Sequence, residues 1–111
     1  MNFPDFMMSL PSLELPFDEE TVEARAIHSD HGLAVFFLFH KDMDLPAHSH
    51  KGQWGSVLEG DVELTIGGVT KTYGPGDSYN VPSGVVHSGR IPVGAKVIDV
   101  FEEQDRYPIK A

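Results

Sequence analysis

Glycine and proline punctuate the chain at short intervals from its middle onward, and this feature limits the fold more than any other. Both residues mark turns. Glycine adopts backbone conformations that other residues rarely adopt, and proline has no backbone N–H to donate to the hydrogen bonds between strands. The runs between them are short and β-prone, which is typical of a sandwich or barrel. We therefore predict an all-β domain, and the glycines and prolines that interrupt it are Pro46, Gly52, Gly55, Gly60, Gly67, Gly68, Gly74, Pro75, Gly76, Pro82, Gly84, Gly89, Pro92 and Gly94.

One hairpin can be read directly from the sequence. Apolar and polar residues alternate over residues 62–66, which predicts a strand with one buried face and one solvent-exposed face. Gly67 and Gly68 follow, and two adjacent glycines suit a two-residue hairpin turn because both positions can take positive φ. Residues 69–73 then return beside the first strand. Further strands are predicted over residues 79–81, 85–91 and 96–101.

The run Leu33–Phe39 is apolar on both faces, so a strand there needs cover on both sides. One face belongs to the core. The other must meet another sheet, the N-terminal segment or a second subunit, and a homodimer is a reasonable expectation. Residues 1–17 lack a clear period and are expected to lie extended, while residues 18–26 fit either one or two helical turns or a strand.

Composition narrows the class of partner. The 111 residues carry a formal net charge of −9 at pH 7, which argues against nucleic acid because phosphate binding needs a basic surface. The chain has no cysteine, so a disulfide and a thiolate ligand are both excluded. Neither a secretory signal nor an apolar run long enough for a bilayer is evident. We expect a soluble cytoplasmic protein with no membrane partner.

Three histidines form the main candidate site. His48 and His50 are two residues apart, so on a strand both rings would face the same side. Gln53 follows closely, and His87 comes after a frame of glycine and proline at Gly76, Pro82 and Gly84. Three imidazoles and a side-chain carbonyl that converge on one point would form a divalent metal site.

These two segments resemble the motifs of small single-domain cupins. The first motif of that family is a glycine, a His-X-His pair, a glutamate and a closing glycine. His48 and His50 supply the pair and Gly60 the closing glycine, but Gln53 stands at the glutamate position and Asp42 replaces the first glycine. In the second motif Gly76, Pro82, Gly84 and His87 match in spacing, while Ile91 replaces the final asparagine.

The resemblance implies an antiparallel jelly-roll barrel of six to eight strands with a metal held inside near its wider end. It gives an N-terminal segment over residues 1–32 that packs on the barrel or on a partner, a cupin barrel over 33–101 and a charged tail over 102–111. The tail is assigned no chemistry. The implied metal ligands are His48, His50, Gln53 and His87, with Gln53 alternatively bound to a metal-bound water or a strand neighbour.

The amide at position 53 affects the expected chemistry. Three imidazoles and an amide leave a divalent ion its full +2 charge, so a bound water or anionic substrate is polarised strongly. Nitrogen-rich ligation favours a transition metal such as Fe, Ni, Zn, Co, Cu or Mn over Mg or Ca. Four protein ligands leave open positions, as a catalytic site requires.

Two functions remain open from the sequence. The protein is either a metal-dependent enzyme on a small organic substrate, with dioxygenase-like or Lewis-acid chemistry, or a non-catalytic cupin that binds or senses a metal or small molecule. No general base stands out, which favours the dioxygenase among enzymes. Arg90 and Asp99 are possible polar groups of the pocket. His28, His31 and His40 match no motif position and are expected at the surface.

Overall fold

The computed structural model describes residues 2–110, and about half of them form β strands. A four-residue helix, α1, covers Asp5–Met8. None of the described residues forms a helix that could cross a lipid bilayer. The strands of the described range are β1 Val22–Ser29, β2 Gly32–Phe39, β3 Met43–His48, β4 Gln53–Glu59, β5 Val62–Ile66, β6 Val69–Tyr73, β7 Ser78–Val81, β8 His87–Ile91 and β9 Lys96–Phe101.

The strands form two antiparallel sheets that enclose one core. The larger sheet has the order β1-β2-β9-β4-β7, and the smaller has the order β3-β8-β5-β6. This arrangement confirms the predicted all-β, antiparallel jelly-roll barrel, with nine strands among the described residues instead of six to eight. The segment 18–26 was left open between helix and strand, and its residues from Val22 onward belong to β1, an edge strand of the larger sheet.

The hairpin predicted around Gly67 and Gly68 is confirmed. Strands β5 and β6 pair in register from Val62 opposite Tyr73 to Ile66 opposite Val69. Both glycines have positive φ, at 57° and 83°, as a two-residue hairpin turn requires. The alternation of β5 also holds, because Val62 and Leu64 are buried while Glu63 and Thr65 are partly exposed.

Strand β2 is covered on both faces, in different ways. Its inward residues Leu33, Val35 and Phe37 lie in the core. On the outer face, the ring of Phe36 contacts Phe3 of the N-terminal segment edge-on, with ring centroids 6.0 Å apart. The N-terminal segment is therefore one part of the cover that the sequence required. Leu38 on this outer face is also buried, whereas Ala34 is partly exposed.

The C-terminal residues are integrated into the fold. Leu13 bridges to Ile109, and the backbone N–H of Glu14 donates to the carbonyl of Pro108 at 2.8 Å. Tyr107 is buried and packs edge-on against Phe101 with ring centroids 5.6 Å apart. The two ends of the described chain thus pair with each other and close one side of the core.

Candidate metal centre

The three predicted histidines are brought together by two adjacent strands and one loop. His48 ends β3 and His87 begins β8, and the two residues are paired across these strands. His50 lies in the short loop that leads into β4. The register of β3 shifts between Leu45 and His48, so the strand is irregular where it delivers its ligand residue.

The three rings face a common point. Their centroids are 4.2 Å apart for His48 and His87, 4.7 Å for His50 and His87, and 5.2 Å for His48 and His50. One ring nitrogen from each residue lies within 4.8 Å of the other two. This spacing is suitable for a single ion bound by three imidazoles, at nitrogen-to-metal distances of about 2 Å.

Hydrogen bonds fix which nitrogen of each ring faces that point. Nδ1 donates to a backbone carbonyl in every case: Pro46 for His48 at 2.8 Å, Lys51 for His50 at 2.6 Å and Val85 for His87 at 3.0 Å. A carbonyl only accepts, so each Nδ1 carries the proton and each Nε2 keeps its lone pair. Metal-ligating histidines commonly have this support on the second nitrogen.

The Nε2 atoms themselves have the character of metal ligands. Those of His50 and His87 are buried and have no hydrogen-bond partner. A buried acceptor without a partner is unfavourable, and a bound cation would satisfy it. Burial is also the main cause that lowers the pKa of His50 and of His87, which favours the neutral ring that binds metal. The residues present therefore fit a divalent metal.

Gln53 lies at the start of β4 and lines the same cavity as the three histidines. Asp99 of the neighbouring strand β9 lies diagonally across from Gln53 on the same inward face, and the two side chains interact. Because a carboxylate only accepts, a hydrogen bond between them would use the amide NH2 of Gln53 and leave its Oε1 free. The predicted fourth ligand thus shares the cavity, and its direct binding to a metal stays a prediction.

Asp99, which the sequence marked only as a possible polar group of the pocket, lines the cavity. It is fully buried in the cavity wall, and the hydroxyl of Tyr79 donates to its Oδ1 at 2.6 Å. Burial raises the pKa of Asp99 to about 6, against the opposing effect of the hydrogen bonds from Tyr79 and Gln53. Burial and the nearby carboxylate likewise raise the pKa of Tyr79. A buried carboxyl in a cavity is a recognised sign of a functional site.

The cavity above the histidines is mainly apolar. Its walls come from both sheets, and this enclosure would exclude water from a small ligand. The tail also contributes a wall residue, Tyr107. The main apolar wall residues are Phe37, Val62, Leu64, Ile66, Phe101 and Tyr107.

The tail also supports the loop that carries His50. The carboxylate of Glu103 accepts from the backbone N–H of Lys51 at 2.7 Å, and that of Glu102 accepts from Gly52 at 3.0 Å. The guanidinium of Arg106 stacks on the ring of Tyr107 at 4.4 Å, and its charge helps to lower the pKa of His50. A segment that the sequence assigned no chemistry therefore positions a ligand loop.

The remaining polar candidates lie elsewhere. Arg90 is exposed and faces Asp44 at 4.0 Å on the outside of the smaller sheet. His40 contacts Glu23 at 2.9 Å, and His28 and His31 are exposed near the turn between β1 and β2. None of these residues lines the cavity.

Comparison with known proteins agrees with this fold. The cupin domain family matches residues 35–101, which is more than half of the chain. The protein therefore belongs to the cupin family, as the histidine motifs predicted. The chain has no significant match among curated proteins.

Solved structures show the same fold. An RmlC-like cupin from Shewanella frigidimarina is 29% identical, with a TM-score of 0.66 over 83% of this chain and 93% of that one. KdgF from Halomonas sp. is 21% identical, with a TM-score of 0.69 over 83% of this chain and 88% of that one. Oxalate decarboxylase from Bacillus subtilis, described with Mn(II) centres, is 20% identical, with a TM-score of 0.72 over 93% of this chain and 31% of that one.

Proposed function

We propose that this cupin is a metal-dependent enzyme that isomerises a small organic carbonyl compound by moving a proton. The observation that carries the proposal is the pairing of two features in one apolar cavity. Three histidine Nε2 atoms converge at one part of the wall, and a buried carboxyl, Asp99, lies in another. Such a reaction needs a cation that polarises the carbonyl and a carboxylate that transfers the proton, both in an apolar cavity.

His48, His50 and His87 would hold the ion, with Oε1 of Gln53 as a fourth ligand. A divalent transition metal would supply Lewis-acid polarisation of the substrate carbonyl. The Mn(II) centres of oxalate decarboxylase support manganese as one candidate beside Fe, Ni, Zn, Co and Cu. The identity of the metal depends on supply as well as on ligands.

Asp99 would carry the proton. Its carboxylate accepts a proton from the carbon next to the carbonyl and returns it to another atom of the same substrate, so no oxidant is needed. The hydroxyl of Tyr79 holds this carboxylate in place at 2.6 Å. Between these two steps the carboxyl exchanges its proton with the solvent, so deuterium from D2O appears at carbon.

The sequence allowed a dioxygenase or an enzyme that uses Lewis-acid chemistry, and Asp99 helps to choose between them. The dioxygenase was favoured because no general base stood out among the residues. A buried carboxyl in the cavity wall supplies the missing group and favours Lewis-acid chemistry with proton transfer.

Deuterium exchange would test the function. Untagged protein loaded in turn with Mn(II), Ni(II), Zn(II) and Fe(II) is incubated in D2O with a panel of 2-oxo acids and hydroxyketones, and NMR follows deuterium uptake at carbon. We expect metal-dependent uptake that falls about 100-fold or more in Asp99→Asn at saturating metal. Asp44→Asn, an exposed carboxyl outside the cavity, is the control.

Oxygen consumption is measured in the same samples. Oxygen uptake without deuterium exchange would replace the proposal with a dioxygenase. Tight metal binding with neither activity across the panel would instead favour the non-catalytic binding protein.

A further inference from the structure

The further inference concerns position 53, where an amide takes the place of the glutamate that is usual in the first cupin motif. Four inward-facing residues meet there: Gln53 and Gly55 on β4, Tyr79 on β7 and Asp99 on β9. Strand β4 lies between the other two, and Gly55 is paired with Tyr79 on one side and with Asp99 on the other.

Gly55 makes the contact between these outer strands possible. Tyr79 and Asp99 are separated by a whole strand, and the tyrosine ring must cross above Gly55 to reach the carboxylate. A Cβ on Gly55 would overlap both the Tyr79 hydroxyl and Oδ1 of Asp99. The absent side chain therefore leaves the space in which Asp99 is fixed by its 2.6 Å hydrogen bond.

The fixed carboxylate of Asp99 determines which kind of hydrogen-bonding group position 53 must provide. Asp99 offers acceptor atoms only, so it requires a donor from position 53. The NH2 of Gln53 is the donor available from the neighbouring strand, and its use would leave Oε1 for the histidines that line the same cavity. A glutamate at this position would bring no proton and would place a second negative charge beside a buried one.

We propose that Gln53 and Asp99 form a matched pair, in which Asp99 turns the amide oxygen of Gln53 toward the three histidines and makes an amide necessary at position 53. Asp99 is a positioning residue in this role, since it acts on the metal through Gln53. The inference rests on the metal site of the proposed function but not on the proton transfer.

The pair is tested by exchanging the amide and the carboxylate between positions 53 and 99. Gln53→Glu alone sets two carboxylates against each other. In the double variant Gln53→Glu with Asp99→Asn, the NH2 of the asparagine can donate to the glutamate, and Tyr79 keeps an acceptor. The hydrogen bond is then restored with its direction reversed, and one glutamate oxygen remains for the histidine side.

Thermal unfolding of metal-free protein is the first measurement. We expect Gln53→Glu to lower Tm by about 5 °C or more, and the double variant to return to within a few degrees of the parent. Asn80→Asp makes the same amide-to-acid change at an exposed position of β7 and should shift Tm little. A double variant that loses as much as both single variants together, or does not fold, would overturn the pairing.

Cobalt(II) titration, followed by absorbance, is the second measurement. We expect Asp99→Asn to weaken binding roughly 10- to 100-fold, as loss of an orienting partner does, and the double variant to recover it. An Asp99→Asn protein that binds cobalt like the parent would contradict the orienting role. Absence of deuterium exchange in the parent would refute the proposed reaction and leave this pair unaffected.

Discussion

At the scale of single residues, the histidines are oriented by their own backbone. Each Nδ1 bonds a carbonyl no more than two residues away in the chain. The sequence could predict these ligands because their support lies within the motif segments themselves. Asp99 and Gln53 were different, since their contact joins two strands and depends on which strands become neighbours.

The first prediction at this scale concerns His87. We expect His87→Ala to weaken metal binding by more than the about 10- to 100-fold that loss of an outer partner costs, because it removes one of the three converging ring nitrogens. Metal content of untagged protein by mass spectrometry is the measurement. His31→Ala, at an exposed position outside the cavity, is the control. Unchanged metal content in His87→Ala would refute the site.

At the scale of elements, periodicity and turn residues predicted the β5–β6 hairpin together with its turn. The same signals placed β9 over residues 96–101 but could not show that β9 lies between β2 and β4. That position sets Asp99 beside Gly55. Alternation along one strand shows which residues share a face, whereas the long connections of this fold decide which strands meet.

The element-scale prediction tests Gly55. We expect Gly55→Ala to lower the free energy of unfolding by about 1–3 kcal/mol, because its Cβ would displace Tyr79 and Asp99 within a filled core. Urea unfolding of metal-free protein measures the change. Gly74→Ala is the control, since its Cβ would meet chiefly the carboxylate end of the exposed Asp61. Equal losses in both variants would show that the space above Gly55 has no special role.

At the scale of the whole molecule, the outer face of the larger sheet has an apolar row. Ile27, Ala34, Val100 and Trp54 lie side by side on four successive strands. Ile27, Val100 and Trp54 are exposed by 54%, 41% and 46%. The N-terminal segment contacts Phe36 on the same face through Phe3, so the cover that β2 needs is supplied in part by the chain itself.

The homodimer predicted from the sequence stays a prediction, and we expect this apolar row to form its interface. Sedimentation velocity at micromolar concentration should show a dimer that Val100→Glu converts to monomer, because the charge would be buried at the contact. Val69→Glu makes the same change on an exposed valine of the smaller sheet and should leave the dimer intact. A parent protein that sediments as a monomer would contradict this assignment.

The local support of the histidine rings has a consequence for how such a protein can change over evolutionary time. Because the backbone beside each ligand sets its orientation, wall residues such as Phe37 or Ile66 can vary, and the cavity can be reshaped for a new substrate, without disturbing the three-histidine centre. Gln53 is the exception, since its orientation depends on a side chain of another strand. Substitution at position 53 or 99 is therefore the step at which new substrate preference and metal affinity would have to change together.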